Sequence, residues 1–584
     1  MENILFVNSI QGTGGADQFS LGQLSLATIL KNKGYSVNLI DFDYLYNKNK
    51  LVEKENSIAE MVDYILNFNP NLVGFYTMCN SYHISLEIAK QLKEKKDSIK
   101  IIFGGPHASL TGVESMKKFS YIDVIAVGES EKTIDPIVKA LFFNSSFENI
   151  EGVIYRKGNE IIYNKQTNLI KNLDDLPFLD FSLIPIEDIK VMPLDVGRGC
   201  PFGCIYCSTK TFWKRFFRLK SPKRIVEEIK YINLKYGIKE FSFVHDLFTA
   251  NKIKLSEFCE LILLEKIKIN WSCSARLDTL NEELIKKMYE SGCKSIYLGI
   301  ETGSQRMQKI INKNLNLSCL EEKIKILKKY KINITTSFIY GFPEENLDDI
   351  DKTLSAINEV RRLEVKNVQL HLLSILPGTE IFEKLKDNLM LASAFSDIAG
   401  VKELGKNYRK IITENPMIFP QYFDFYSDIR ENFRYLDKFI NIYHVMLFKH
   451  LPKTYEFIMK YYNNSILKLF IEFKDININD LENLYDNGNW PIQKFVDKNK
   501  LIINYINNCN FGKYTNFIRE MVKFETNIVE FMYFDDKEEI ILDYNFDVFN
   551  AKKSKLLTYV KEPEPIKIMF TRVKEKNIKV KKIS

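Results

Sequence analysis

The chain has 584 residues, 45% of them apolar and 27% charged, and its 82 Lys and Arg against 75 Asp and Glu give a net charge of +7. That length is well past the reach of a single hydrophobic core, so three or more structural units are expected, and the globular composition excludes a disordered chain. The mild positive balance gives no argument for nucleic acid, no apolar run reaches the roughly 18 residues of a membrane span, and the opening MENILFVNSI carries no export-signal pattern.

The first 140 residues alternate short β-branched runs with helical patterns: ILFVNS, QLSLATILKNKG, VNLIDFD, MVDYILNF, LVGFYTM, ISLEIAKQLKEK, IKIIFGG and VIAVGES. Strand and helix in repetition predict a doubly wound parallel sheet, a Rossmann-like domain over residues 1–145. Polar or Gly-rich turns follow several strands, at Ser9–Asp17, Thr77–Ser81, Gly104–Ser109 and Gly128–Glu131. Ligands of such sheets lie at the strand carboxyl ends, so these loops mark a binding edge. Residues 146–190 read as a hairpin, GVIYRKGNEIIYN, and an extended Pro-containing linker, LDDLPFLDFSLIP.

A second alternation begins near Val191, with strands in MPLDVGRG, EFSFVHD, INWSCSARL, SIYLGIET, ITTSFIYGF and VQLHLLSIL. The helix in SPKRIVEEIKYINLKYG opens on a Ser cap with Pro222 in its first turn, and Ile225, Val226, Ile229 and Ile232 share a face. About six βα units over residues 191–385 predict a partial TIM-type barrel, with its chemistry at the strand carboxyl ends. Residues 386–584 are rich in Phe, Tyr, Ile and Lys with helical periodicity, and are expected to be a mainly helical capping or substrate-selecting region. Within it EFMYFDDKEEIILDYNF reads as a hairpin and the basic run from Thr571 as a solvated end.

Three of nine cysteines, Cys200, Cys204 and Cys207, crowd into GRGCPFGCIYC. The other six (Cys79, Cys259, Cys273, Cys293, Cys319 and Cys509) are scattered in mostly apolar surroundings, as expected of reduced thiols in a cytoplasmic chain, so the clustered three point to metal or redox chemistry. C-x3-C-x2-C on one loop can ligate three corners of a cubane iron–sulfur cluster and leave one iron without a protein ligand, with Gly197, Gly199 and Gly203 permitting the turns. Zinc, the rival, would want a fourth ligand close by, and the nearest downstream histidine is His245.

With Tyr206 as the aromatic before the last cysteine, this loop resembles that of the radical S-adenosylmethionine (radical SAM) enzymes. The resemblance implies a [4Fe-4S] cluster on Cys200, Cys204 and Cys207 whose open iron binds SAM and whose reduced form cleaves it to a 5′-deoxyadenosyl radical. Further motifs follow in order. Asp246 stands in FVHDLFT, Arg276 in WSCSARLD where many relatives hold the SAM carboxylate, and Glu301 and Ser304 in LGIETGS beside the ribose and amino group. Gly341 and Pro343 stand in the FIYGFPEE turn bordering the adenine, and Pro377–Thr379 resembles the family's closing Pro-Gly-Thr turn.

The amino-terminal domain, through GQLSLATILKNKGYSVNLIDFD, GGPHAS, VGESE and LDDLP, resembles the cobalamin-binding domain of the B12-dependent radical SAM class. The resemblance implies cobalamin contacts from Gly12, Thr13, Thr77, Ser81, Gly104, Gly105, Gly128 and Glu129. The first loop, NSIQGTGGADQFS, contains no histidine for cobalt, and His83 and His107 are alternatives. The implied activity is radical methyl transfer from methylcobalamin to an unactivated carbon, or to a phosphinate-like phosphorus, of a small-molecule or peptide substrate. The implied reductant is an electron donor such as flavodoxin or ferredoxin. A radical rearrangement or ring closure without net methylation is the enzymatic alternative, and a cobalamin or cluster sensor the non-enzymatic one. A methylthiotransferase fits less well, because the first 150 residues contain only Cys79.

Overall fold

In a computed structural model describing residues 2–10, 19–48, 57–392, 396, 406–444, 447–448, 451–473, 504, 506–533, 539–544, 548, 566–574 and 577–583, strand β1 (Asn3–Asn8) is a continuous apolar run. Ile4, Leu5, Phe6 and Val7 are all buried, as a central parallel strand covered on both faces requires. Around it lie β2 (Ser36–Asp41), β3 (Leu72–Tyr76), β4 (Lys100–Gly104) and β5 (Val124–Ala126), in the order β2-β1-β3-β4-β5 and all parallel. Gly74 on β3 makes room for the Phe6 ring, which a Cβ at that position would meet at 2.8 Å. Helices Leu21–Asn32, Ser57–Leu66, Tyr82–Lys95, Pro106–Lys118 and Ile134–Phe143 supply the crossovers. The hairpin β6 (Val153–Lys157) and β7 (Glu160–Asn164) continues this sheet antiparallel from the β5 edge.

The second sheet is parallel throughout, ordered β8 (Met192–Asp195), β11 (Glu240–Val244), β12 (Asn270–Ala275), β13 (Cys293–Glu301), β14 (Asn333–Tyr340) and β15 (Asn367–Leu372), a partial barrel with β8 and β15 at its edges. A two-stranded antiparallel ribbon, β9 (Gly197–Arg198) and β10 (Arg218–Leu219), interrupts it directly after β8. The helix Pro222–Tyr236 begins as its sequence predicts, with Ser221 Oγ accepting from Arg224 N at 3.1 Å, and ends on Gly237 at φ 71°. The barrel wall is aromatic: Phe243 stacks on Trp271 at 5.0 Å, and Phe248 and Phe258 pack edge-on against Trp271.

The chain divides into two compact units, Met1–Glu345 with Val360–Arg430, and Asn346–Glu359 with Glu431–Ser584. In the first, the short pair β16 (Met390–Leu391) and β17 (Phe423–Asp424) brackets a stretch that returns to the amino-terminal sheet's helices. His107 Nε2 donates to the Ile418 carbonyl at 2.8 Å, Gln421 Nε2 to the Cys79 carbonyl at 2.8 Å, and the Tyr422 hydroxyl lies 3.3 Å from His83 Nδ1.

In the second unit helices Pro452–Tyr461 and Thr515–Tyr533 pack together, and the Glu525 carboxylate accepts from Lys453 N and Thr454 N at the first helix's start. One sequence expectation is corrected here. The EFMY segment ends a helix, and the strand after it, β18 (Glu539–Tyr544), pairs with distant β19 (Ile566–Lys574). The basic end is ordered as a strand, β20 (Asn577–Ile583), paired antiparallel with β19, and Lys579 and Lys581 on it are exposed.

Candidate functional site

The cysteine loop leaves the β9–β10 ribbon under tight backbone constraint. Gly199 has φ 84°, and a Cβ there would lie 2.4 Å from the Phe216 carbonyl oxygen, so only glycine fits. Neighbouring helix ends fasten the loop: Ile205 N donates to the Ile311 carbonyl at 3.1 Å, Asn312 Nδ2 to the Gly203 carbonyl at 2.9 Å, and Ile381 N to the Ile205 carbonyl at 3.3 Å. Ile205 anchors it in a core of Met307, Ile311, Phe342, Ile375 and Ile381.

Cys200, Cys204 and Cys207 are half-buried free thiols on this loop. Burial pushes Cys200 up to about 11 and raises Cys207 too, so these two stay protonated at neutral pH until a metal's charge draws the protons off. Three soft thiol donors on one loop, with no fourth protein ligand beside them in the chain, are the donor set that three corners of an iron–sulfur cluster take.

The strand-end residues singled out in the sequence surround this loop. Arg276, at the end of β12, lies 3.6 Å from the Phe202 ring centroid, donates to both Asp278 oxygens at 3.0 and 2.8 Å, and reaches the Lys313 carbonyl at 2.8 Å. Burial works against its charge, but Asp278 and the Cys204 and Cys200 sulfurs outweigh it and raise its pKa. Glu301 ends β13 at a bulge with φ 71°, a strained value for a non-glycine residue, and its carboxylate accepts from Lys313 Nζ at 2.7 Å. Tyr206 packs edge-on against Phe342, and burial followed by the Glu301 carboxylate holds its phenol well above the ordinary range.

Asp246 works from the loop's other side. Its Oδ2 accepts from Gly199 N and its Oδ1 from Thr209 Oγ1, both at 3.1 Å, and burial raises its pKa. Ser304 is fully buried and caps the helix Gln305–Ile310, its Oγ accepting from Met307 N at 3.3 Å. Gly341, at φ 84°, and Phe342 both donate their backbone N–H to Glu345 Oε2, and Arg430 Nη1 donates to the Gly341 carbonyl at 2.9 Å. Pro343 follows half-buried on the same turn. Thr211 Oγ1 donates to the Gly378 carbonyl, and Thr379 caps the helix Glu380–Leu385, joining the cysteine loop to the last βα turn.

A cavity of about 820 Å³ joins the carboxyl ends of both sheets. Asn8, Tyr76, Gly104 and Ala126 border it from the first sheet, and Asp195, Val244, Asp246 and Ser274 from the second. Its size falls in the range that encloses a cofactor. Gly105 and Gly128 also line it. Gly105, at φ 92°, lies where a Cβ would meet the Thr77 backbone at 2.8 Å, and Gly128 accepts no side chain beside Gln166 Oε1, which a Cβ would meet at 2.5 Å. At both positions it is neighbouring protein that leaves no room for a side chain, and the bare backbone that results borders a cavity of a volume that suits a large cofactor.

The remaining predicted contacts divide. Gly12 and Thr13 lie outside the described residues. Thr77 is buried and spends its hydroxyl on the Gly104 carbonyl at 2.8 Å while accepting from Ala108 N at 3.0 Å, and buried Ser81 is not among the cavity's lining. Glu129 lines the cavity, yet its carboxylate accepts from Arg198 Nη1 at 2.8 Å, Arg218 Nη1 at 2.8 Å and Ile170 N at 2.8 Å. His83 and His107 do not border the cavity; burial lowers them to about 3 and about 4.

Sequence reasoning missed Arg198, Arg218, Glu131 and the cavity-lining His245, which burial lowers to about 4. Position offered a signal for Arg198, two residues before Cys200, and for Glu131, the last residue of the Gly128–Glu131 turn on the binding edge, whereas Arg218 has none short of the folded pairing.

Residues 9–138 match the family described as B12 binding domain, and residues 194–357 the Radical SAM superfamily. The chain is 28% identical over 423 residues to the uncharacterized methyltransferase PH0819 of Pyrococcus horikoshii, covering 71% of this chain and 86% of that protein. It is 25% identical over 404 residues to the anaerobic magnesium-protoporphyrin IX monomethyl ester cyclase of Cereibacter sphaeroides, 66% of this chain and 64% of that protein. Its fold is similar to that of the cobalamin-dependent S-adenosylmethionine radical enzyme OxsB, solved with aqua-cobalamin and S-adenosylmethionine bound, with a TM-score of 0.61 at 15% identity over 95% of this chain and 83% of that one. A B12-binding sheet, a three-cysteine partial barrel and a cavity joining them converge on one conclusion: the chain is an enzyme of the B12-binding radical SAM family.

Proposed function

We propose that this enzyme transfers a methyl group to an unactivated carbon of a small-molecule or peptide substrate. The observation that carries the reading is that the segments flanking the three-cysteine loop, Gly197 and Arg198 before it and Ser208 and Thr209 after it, line the same cavity as the first sheet's strand ends. Bound there, a reduced [4Fe-4S] cluster supplies the electron that splits SAM, and cobalamin supplies the methyl group.

The chain's own residues position and enclose the reactants. Cys200, Cys204 and Cys207 offer three thiolates from a loop whose backbone is fixed on both sides. Tyr206, Arg276 and Glu301 form the SAM side, where Arg276 brings a cation beside the sulfurs and Glu301 a carboxylate held by Lys313. Asp246 and Ser304 act one step back, bracing the loop and the helix after β13, while Gly341 and Pro343 present a turn fixed by Glu345. Gly104, Gly105 and Gly128 let backbone approach the corrin, and Phe6, Phe19 and Trp213 keep the cavity wall apolar. An electron donor of the flavodoxin or ferredoxin kind and a cytoplasmic location complete the reading. Among the described residues no helix is long and apolar enough to cross a membrane.

The experiment is anaerobic reconstitution with iron, sulfide and hydroxocobalamin, then incubation with SAM, reductant and candidate substrates. Corrin absorption on the protein, released 5′-deoxyadenosine and a product heavier by one methylene are expected. Absence of corrin binding refutes the reading of the first sheet, and release of 5′-deoxyadenosine removes the sensor alternative. The similarity to the ring-forming cyclase favours one second reading, oxidative ring closure. It is distinguished by deoxyadenosine release with no gain of a methylene.

A further inference from the structure

Glu129 and Glu131 stand in the loop after β5, at the carboxyl edge of the amino-terminal sheet, yet their carboxylates are spent on the barrel. The Glu129 side chain is 1% exposed and accepts from two arginines, Arg198 Nη1 at 2.8 Å and Arg218 Nη1 at 2.8 Å, and from Ile170 N. Glu131 Oε1 accepts from Arg198 Nη2 at 2.6 Å, and Asp195 Oδ2 lies 3.3 Å from the same nitrogen.

Arg198 and Arg218 face each other across the β9–β10 ribbon, the element from which the cysteine loop springs. Both guanidinium groups lie over the Trp213 ring, at 5.8 and 5.7 Å, and Trp213 belongs to the segment that returns from Cys207 to β10. Two acids from one sheet therefore grip both strands of the ribbon that delivers the cysteines from the other. Glu129, Glu131, Asp195, Arg198 and Trp213 all border the cavity that the two sheets share.

A buried ion network of this kind adds little net stability, because desolvating the charges cancels much of their attraction, but removing one partner leaves an uncompensated charge. Its use is geometric. Bidentate and branched carboxylate–guanidinium bonds fix orientation more narrowly than apolar packing does.

We propose that Glu129 and Glu131 are positioning residues for the cysteine loop: by orienting Arg198 and Arg218 from the amino-terminal sheet, they set the placement of Cys200 relative to the shared cavity. The inference rests on the cluster reading above. A merely structural role would lower stability without altering the cluster's electronic environment, whereas a positioning role alters it in folded protein.

The test uses the full chain reconstituted anaerobically with iron and sulfide, comparing wild type with Glu129→Gln and Glu129→Asp by circular dichroism, iron content, the electron paramagnetic resonance spectrum of the reduced cluster, its midpoint potential, and the spectral change on adding SAM. Folded Glu129→Gln is expected to bind iron as wild type does but with shifted g-values and potential and a smaller response to SAM, and Glu129→Asp to recover part of each. A folded Glu129→Gln protein with wild-type spectrum, potential and SAM response overturns the proposal. Where Glu129→Gln does not fold, Glu131→Gln decides, since it weakens one arm of Arg198 and leaves the Glu129 bonds: a smaller shift in the same readouts supports the proposal and no shift overturns it. Wild-type protein that assembles no cluster refutes the cluster reading itself, an outcome separate from an unaltered Glu129→Gln spectrum.

Discussion

Substituting Gly105 by alanine tests whether the cavity's cradle depends on bare backbone. Gly105 has φ 92° and ψ 177°, a region that L-residues scarcely enter, and forcing alanine into it costs about 1–3 kcal/mol. The new Cβ would lie 2.8 Å from Thr77 N, 2.9 Å from Thr77 O and 2.9 Å from the Tyr76 ring, two of them backbone atoms that cannot swing aside. Such overpacking adds about 1–3 kcal/mol, for a sum of about 2–6 kcal/mol against the roughly 5–15 kcal/mol that holds a typical domain folded.

Gly158→Ala is the matched control. Gly158 also has positive φ, 60°, but nothing lies within 4 Å of its Cβ position, so only the backbone term of about 1–2 kcal/mol applies. Urea denaturation followed by circular dichroism measures both variants. Because Gly105 lines the cavity, relief of the overlap moves its wall, and Gly105→Ala is expected to bind hydroxocobalamin at least about tenfold more weakly in equilibrium dialysis, a loss of about 1.4 kcal/mol. Equal destabilisation of the two variants, with corrin affinity unchanged in both, would refute the reasoning.

Three more outcomes are expected. Cys200→Ser loses the visible charge-transfer absorption and most of the iron of the reconstituted protein; a variant that keeps both removes Cys200 from the ligand set. Ser304→Ala destabilises by about 1 kcal/mol through loss of a helix cap, read by denaturation, and a fall in SAM affinity beyond that loss signals direct contact instead. His83 and His107, in contact with Tyr82, Tyr408, Phe419 and Tyr422, are held neutral with pKa values of about 3 and about 4. The unfolded chain takes up protons below about 6.5 while the folded one does not, so stability falls as pH drops from 6.5 toward 4, each histidine contributing at most about 1.4 kcal/mol per pH unit. Asp41, raised by burial to about 6, acts in the opposite sense over part of that range. A double His83→Gln, His107→Gln variant should therefore flatten or invert the acid slope of denaturation midpoints, and an unchanged slope would contradict the assignment.

The first sheet was legible in the sequence because its parallel strands, covered on two faces, read as unbroken apolar runs; the barrel strands alternate buried with more exposed residues and were legible from their regular alternation with helical patterns instead. The cysteine loop was legible because its three thiols are adjacent in the chain. What escaped was set by long-range pairing. Glu129 resembled a cofactor contact because it follows Gly128 in a strand-end turn, and its arginine partners lie 69 and 89 residues away. Thr77 and Ser81 carried hydroxyls in a binding-edge turn, but Thr77 turns its own inward to the β4 end. The second unit was misread not at β18 itself, whose strand was expected, but at its partner: the segment before it ends a helix, and the strand that pairs with it comes more than twenty residues later.

The stretch that runs from β16 to β17 has a consequence for how the protein is made. His107 meets its acceptor, the Ile418 carbonyl, 311 residues further along the chain, and His83 meets Tyr422 at a separation of 339. At about 5–20 residues per second on the ribosome, the amino-terminal sheet waits on the order of 15–60 s with the helix faces around both histidines uncovered. A fragment ending at residue 190 would never receive that cover. Expression of the first domain alone should therefore yield aggregated or chaperone-bound material, while one extended through residue 430 carries the aromatic segment that finishes it.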